Sequence, residues 1–293
     1  HFGLGRFRIV EAGPDATAVR RTASLHDLAI LPPRVQEAAL AAGLSPREVT
    51  AAAERLRAGR YTPAPPTHLT VADADGSPRE LSVPSALDRC LQRLLAAVLA
   101  PAFDRLFEDS SFAWRRRLSR GLAATTLSRH AADGWLHAVR ADIDRFFPSV
   151  PAARLSRRLA AWVAGDPIGD AALALVGAGP GLPTGAPLSP LLGNMFLDDF
   201  DEQVAARGGR LVRYADDFLV LTRSRAEAEA LHGEVLHLVA QLELRLNDDS
   251  GVIDLREGFR FLGYDFTWEE GWRTTGPDAV SYTHLTLPTI LLV

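Results

Sequence analysis

Tyr214-Ala215-Asp216-Asp217-Phe218 puts two adjacent carboxylates inside a run that otherwise reads as buried strand, with Leu211-Val212-Arg213 before it and Phe218-Leu219-Val220-Leu221 after it. Asp is depleted in strands, and burying a carboxylate without a partner costs about several kcal/mol. Two in a row repel each other as well, so folding alone supplies no reason for them. A strand-turn-strand shape would carry both to a hairpin tip, where a divalent cation with a preference for hard oxygen ligands would be the missing partner. The plain alternative is a solvated Asp-Asp turn, and only the remainder of the chain argues against it.

A second acidic segment lies upstream, Ala141-Asp142-Ile143-Asp144-Arg145-Phe146-Phe147-Pro148. Trp135 to Arg140 reads as a strand entering it, and Pro148 ends the segment. In extended alternation Asp142 and Asp144 share one face and Ile143 points to the other. Three carboxylates from two strands suit a pair of ions about 3.5–4 Å apart, the arrangement used for in-line phosphoryl transfer. Between these segments lies Gly181-Leu182-Pro183-Thr184-Gly185-Ala186-Pro187-Leu188-Ser189-Pro190. Its glycines allow close backbone approach to a base pair, and Ser189-Pro190 reads as an N-cap with a first-turn proline.

In this order the three segments resemble palm motifs of reverse transcriptases. The resemblance extends upstream to Asp75-Gly76-Ser77-Pro78-Arg79-Glu80-Leu81-Ser82-Val83-Pro84 with Asp88-Arg89 and Gln92, which is similar to the fingers motif of group II intron-type and CRISPR-associated members, and to Ser111-Phe112-Ala113-Trp114-Arg115. Downstream, Leu244-Arg245-Leu246-Asn247 and Gly258-Phe259-Arg260-Phe261-Leu262-Gly263-Tyr264 resemble the last two palm motifs, so the likeness runs from about residue 45 to residue 267.

The resemblance implies an α+β right-hand polymerase with fingers and palm, the palm an antiparallel sheet backed by helices, and with the thumb missing. It implies an RNA-dependent DNA polymerase that extends a primer 3′-hydroxyl with dNTPs on an RNA template, from a DNA or RNA primer. Asp142, Asp216 and Asp217 become the catalytic carboxylates, holding two Mg2+ ions (with Mn2+ as a substitute) together with the Ile143 carbonyl. Phe147, five residues after Asp142, falls where the family places the aromatic that excludes a 2′-hydroxyl. Arg79 would contact the triphosphate, and Thr184, Gly185 and Tyr214 complete the substrate-binding set. Thr184 departs from the glutamine common among relatives, and Asn247-Asp248-Asp249-Ser250 lacks their lysine. Group II intron-type and retron-type polymerases are alternatives within the family, and a non-polymerising nucleic-acid-binding palm is the alternative outside it.

All 32 basic residues are arginine, and the net charge of −4 is not that of a general nucleic-acid binder. Charge is concentrated locally instead. Arg115, Arg116, Arg117, Arg120 and Arg129 follow one another with no acid among them and with Phe112 and Trp114 interleaved, a pattern suited to template or primer phosphates. Asp198, Asp199, Asp201 and Glu202 read as solvated or capping residues at the far end of a helix. The one cysteine, Cys90, sits in an apolar helical stretch and reads as a packed core thiol in a reducing, cytoplasmic protein. The longest apolar run, Leu94 to Phe103, is broken by Pro101 and is too short to span a bilayer, so no membrane is implied.

The expected organisation is a remnant of an upstream domain at 1–13, linker and helical packing at 14–44, fingers at 45–135, palm at 136–267, the start of a lost C-terminal region at 268–279 and a non-native tail at 280–293. The chain opens at His1 and reads as a fragment. His1 to Ile9 resembles the glycine-rich C-terminal segment of endoribonucleases that process CRISPR repeat RNA, which implies service in spacer acquisition beside adaptation integrase subunits. The uncharged, threonine-rich tail resembles translated sequencing-adapter sequence. Ser45-Pro46-Arg47-Glu48 and Ser224-Arg225-Ala226-Glu227 predict capping boxes. Helices are predicted from Ser45 to about Ala58, over Ser85–Leu99, 151–163 and 189–206, with a hairpin at 210–222.

Overall fold

The computed structural model describes residues 32–72, 78–163, 166–177, 181–268 and 272–276. The expectations placed on His1–Ile9, on the Asp75-Gly76 turn and on the tail from 280 fall outside these residues. In chain order come α1 (Pro33–Ala41), α2 (Pro46–Arg57), β1 (Thr67–Ala72), β2 (Pro78–Val83), α3 (Ala86–Phe103), α4 (Arg120–Ala132) and β3 (His137–Asp142). There follow α5 (Phe146–Ser149), α6 (Ala152–Trp162), α7 (Pro167–Val176), α8 (Ser189–Ala206), β4 (Arg210–Tyr214), β5 (Asp217–Thr222) and α9 (Arg225–Gln241). The last described elements are β6 (Gly251–Asp254), a 3-10 turn at Leu255–Glu257, β7 (Phe259–Phe261), β8 (Tyr264–Trp268) and β9 (Trp272–Thr275). The fold is mixed helix and sheet, with antiparallel pairing in all three described sheets.

The chain divides into two compact units. Among the described residues, one gathers Phe107–Phe146 and 197–276; the other gathers 32–106 with Phe147–Phe196.

The first unit is built on a four-stranded sheet in the order β4-β5-β3-β6. Alternation sorts its residues onto two faces. Ala138, Val212, Leu219 and Leu221 pack against Ala123, Ala124, Leu127 and Ala131 of α4 and against Phe261 and Phe266 from the β7-β8-β9 sheet. On the other face Phe218 meets Phe200 of α8 edge to face, with ring centres 5.1 Å apart. Both capping-box reciprocal bonds form at Ser224 and Glu227, starting α9, whose Leu231, Val235 and Leu238 are buried.

The second unit is helical apart from the β1–β2 hairpin. Both capping-box bonds also form at Ser45 and Glu48, ahead of α2. Buried Asp88 accepts from the Tyr61 hydroxyl (2.8 Å), the Ala64 amide (3.1 Å) and the Ser85 hydroxyl (2.5 Å), tying the extended segment after α2 to the start of α3. Gln92, fully buried one turn on, donates to the Leu175 carbonyl (2.8 Å) and accepts from the Leu188 amide (3.4 Å). Cys90 is buried in α3 as expected, and α3 runs on through Pro101 to Phe103. No helix among the described residues is long and apolar enough to cross a membrane.

Candidate active site

The β4–β5 hairpin pairs Tyr214 with Asp217, leaving Ala215 and Asp216 at its tip. A tip this tight needs a left-handed residue, and Ala215 supplies it with φ +65°. Alongside, β3 runs antiparallel to β5 with Asp142 directly opposite Asp217. The Ile143 amide donates to the Asp216 carbonyl (3.3 Å), stitching the end of β3 to the tip. Asp142 and Asp217 therefore share a sheet face and line one cavity of about 220 Å3 with Arg140, Ala141, Asp249 and Ser250. Asp216 is half-buried beside them. The expected Asp142–Asp144 face is not formed, because β3 ends at Asp142; Asp144 is exposed in the following turn and its amide donates to the Arg245 carbonyl (2.9 Å).

The electrostatics follow from this crowding. Burial first, then the Asp216 and Asp249 charges, push the Asp142 carboxyl up to about 7. Burial and the Asp142 charge push Asp217 up to about 7, with Arg140 pulling it back. Like charges this close favour a proton or a cation as guest. The donor chemistry, carboxylates and backbone carbonyls, fits magnesium. Among the described residues, no three His, Cys, Asp or Glu side chains stand in a finished ligand set.

Two neighbours absent from the expected site support Asp142. The Asn247 side-chain amide donates to its Oδ2 (2.6 Å) and the Asn247 backbone amide to its carbonyl (2.9 Å). Ser250 Oγ accepts from the Asp142 amide (3.5 Å). Asp249, exposed, faces the same cavity. The acid-rich Asn247-Asp248-Asp249-Ser250 stretch was the available signal, though nothing in its spacing pointed back to Asp142.

The other expected residues fall as follows. Ile143 is buried, and Tyr214 is half-buried with its hydroxyl pushed up by burial. Arg115 donates to the Glu108 (2.5 Å) and Ser111 (2.9 Å) carbonyls and lies over the Phe107 ring, while Arg116 and Arg117 are exposed and Arg120 half-buried. In the second unit, Phe147, Thr184 and Gly185 are half-buried. Arg79 pairs with Val71 through the β1–β2 ladder. Gly181 takes φ +80°, and a Cβ there would stand 2.3 Å from the Pro148 carbonyl oxygen. Contact within the chain therefore by itself requires glycine there.

One expectation is corrected. Asp198 and Asp201 are not solvated: both are buried in α8. Asp201 forms a two-pronged pair with Arg213 of β4, which is equally buried. An arginine inside an apolar strand was the signal, since a buried guanidinium requires an acidic partner.

The model of the family described as reverse transcriptase (RNA-dependent DNA polymerase) matches residues 71–266, a span that contains every carboxylate of this site. The chain belongs to the reverse transcriptase family. This reverse transcriptase chain is 24% identical over 264 residues to Protein YkfC of Escherichia coli (strain K12), covering 72% of this chain and 69% of that protein. It is also 24% identical over 214 residues to the group II intron-encoded protein LtrA of Lactococcus lactis subsp. cremoris, covering 69% of this chain but only 35% of that protein. Among solved structures it is similar to a chain of a partial Cas6-RT-Cas1–Cas2 complex, at 27% identity and a TM-score of 0.43, over 74% of this chain and 40% of that one. Telomerase from Candida albicans, at 12% identity, 70% coverage of this chain, 44% of that one and a TM-score of 0.52, shares the fold. The chain thus spans about a third of the intron-encoded protein's length and less than half of either solved chain.

Proposed function

We propose that this chain is the fingers and palm of an RNA-dependent DNA polymerase that adds dNTPs to a primer 3′-hydroxyl at the Asp142, Asp216 and Asp217 cluster. The observation that carries the reading is the cross-strand pairing of Asp142 with Asp217, both carboxyls pushed to about 7, inside the span matched by the family. In this reading residues 45–135 serve as fingers and 136–267 as palm, with any thumb beyond the described residues.

When bound, magnesium lowers the pKa of the primer hydroxyl and neutralises the triphosphate charge. The chain's own residues hold and orient. Asp142, Asp216 and Asp217, with the Ile143 carbonyl, are the ligands proposed for two ions, and Mn2+ would bind the same oxygens. Asn247 holds Asp142 Oδ2 through its side-chain amide and so restrains that carboxylate. Phe147 would stack beneath the sugar and exclude a 2′-hydroxyl; Arg79 would meet the triphosphate; Thr184, Gly185 and Tyr214 would border the nascent pair. Exposed Arg116 and Arg117, with Arg120, are the candidates for template or primer phosphates, and Arg115 for holding their loop.

The proposed partners are an RNA template, a DNA or RNA primer and dNTPs. The implied setting is acquisition of CRISPR spacers from RNA beside adaptation integrase subunits, in the cytoplasm. Group II intron- or retron-type service is the second reading, supported by the likeness to the intron-encoded protein. A non-polymerising palm is opposed by the cost of keeping crowded carboxylates without catalytic use. Primer extension with Mg2+ on matched RNA and DNA templates tests the proposal. Extension on RNA that is lost in Asp216→Asn supports it; equal extension by both proteins refutes the assignment.

A further inference from the structure

Arg213 connects the helix behind the sheet to the hairpin that carries Asp216. Its side chain is fully buried, and the hydrogen bonds described for it reach three places in the first unit: Asp201, Ser111 and Ala215. Nε donates to Asp201 Oδ1 (2.7 Å) and Nη2 to Asp201 Oδ2 (2.5 Å), anchoring the guanidinium to α8. Nη2 also donates to Ser111 Oγ (2.8 Å). Nη1 donates to the carbonyl of Ala215 (2.8 Å), the left-handed residue immediately before Asp216. The Arg213 backbone is fixed too, its amide donating to the Ser110 carbonyl (2.9 Å) and its carbonyl accepting from the Phe112 amide (2.9 Å).

A buried ion pair is a poor device for stability alone, because an apolar pair of similar volume often serves as well or better. A planar fork with several donors is, however, well suited to fixing geometry. Here one plane holds the helix carboxylate on one edge and the hairpin tip on another. A left-handed alanine is a strained choice at the tip, and such a conformation persists only when its surroundings enforce it. The Nη1 bond to the Ala215 carbonyl and the Ile143 amide bond to the Asp216 carbonyl are those enforcing contacts on successive peptide units.

We propose that the Arg213–Asp201 pair is a positioning device: through the Ala215 carbonyl it sets the left-handed tip and so aims the Asp216 carboxylate. This rests on the polymerase reading of Asp216. Misplacing a reacting group by about 1 Å costs on the order of 100-fold in rate, and weakening the support behind a metal ligand costs about 10–100-fold in metal affinity.

The decisive variant is Arg213→Met combined with Asp201→Leu, which removes the charge pair without stranding either partner. It is compared with the unaltered chain and with Arg207→Ala, which removes an exposed ion pair to Glu234 from the same helix end. Readouts are the melting temperature, kcat and KM for dNTP addition, and Mn2+ affinity by electron paramagnetic resonance. The double variant is expected to stay folded but to melt lower than the unaltered chain, because the Ser111 hydroxyl and the Ala215 carbonyl lose a donor. It should lose kcat by about 100-fold with KM changed less than about threefold, and bind Mn2+ at least about tenfold more weakly. Arg207→Ala is expected to match the unaltered chain throughout. A folded double variant with kcat and Mn2+ affinity within about threefold of the unaltered chain overturns the proposal. Should the double variant not fold, Arg213→Lys decides by the same limits, since lysine keeps the charge but cannot span Asp201 and Ala215 together. Should the unaltered chain not extend primers, the polymerase reading falls, and the Mn2+ comparison alone decides the aim of Asp216.

Discussion

Asp142 and Asp217 face each other across the β3–β5 ladder, two carboxylates in register where a sheet ordinarily places an attractive pair. Both are pushed to about 7, so the metal-free fold holds protons that the unfolded chain, at ordinary carboxylate values, has released. Stability of the metal-free protein is therefore greatest below about pH 4 as far as these two groups are concerned, and falls as pH rises through the window from about 4 to about 7. Thermal melts in chelator across that range check the sign. Asp217→Asn is expected to flatten the slope and to melt higher than the unaltered chain at pH 8.

Asn247 donates to Asp142 Oδ2 and so restrains the Asp142 carboxylate. Asn247→Ala is expected to raise the Mg2+ concentration needed for half-maximal extension by about 10–100-fold, the usual loss of affinity when a metal ligand's support is removed. A magnesium titration of the extension rate measures it. The fold itself should survive, because Asn247 is only half-buried.

Gly181 and Gly185 both take positive φ, but they differ in what surrounds them. At Gly181 a Cβ would meet the Pro148 carbonyl oxygen at 2.3 Å and the Phe147 carbonyl oxygen at 2.6 Å, whereas at Gly185 the nearest atom is the Ser82 carbonyl oxygen at 3.8 Å. Gly185→Ala is expected to cost about 1–2 kcal/mol for the left-handed conformation alone. Gly181→Ala should cost at least about 1–3 kcal/mol more, for displaced backbone. Paired urea denaturation curves give the difference.

Phe147 is half-buried beside the Leu182 amide that its carbonyl binds at 2.7 Å. If its ring excludes the 2′-hydroxyl, Phe147→Ala should raise ribonucleotide incorporation relative to dNTP by about 10–100-fold, the scale at which pocket size discriminates. Competition assays with matched rNTP and dNTP read that ratio directly.

Much of this was legible in residues. Ser45 with Glu48 and Ser224 with Glu227 declared their helices, because a capping box is a local contract between four residues. The hairpin was visible because Asp216 and Asp217 interrupt an apolar alternation. The Arg213–Asp201 pair was not, because an acidic quartet at a helix end normally faces water, and only the α8 packing shows that Asp201 points inward. A second reason for Gly181 was hidden for a related cause: its need for a missing Cβ arises from Phe147 and Pro148, residues far from it in sequence. Asp88 and Gln92, motif residues by resemblance, prove to satisfy buried backbone and hydroxyl partners, a duty that only tertiary contacts reveal.

The most direct test of the central claim is single-nucleotide addition to a DNA primer annealed to an RNA template, with Mg2+, by the unaltered chain and by Asp142→Asn, each with its primer-template affinity measured in parallel. A polymerase built on this carboxylate cluster adds the nucleotide, and the variant loses at least about 100-fold in rate while binding primer-template equally well. Addition at the same rate by both proteins, or binding without addition by the unaltered chain in the presence of Mg2+ and Mn2+ alike, would contradict it.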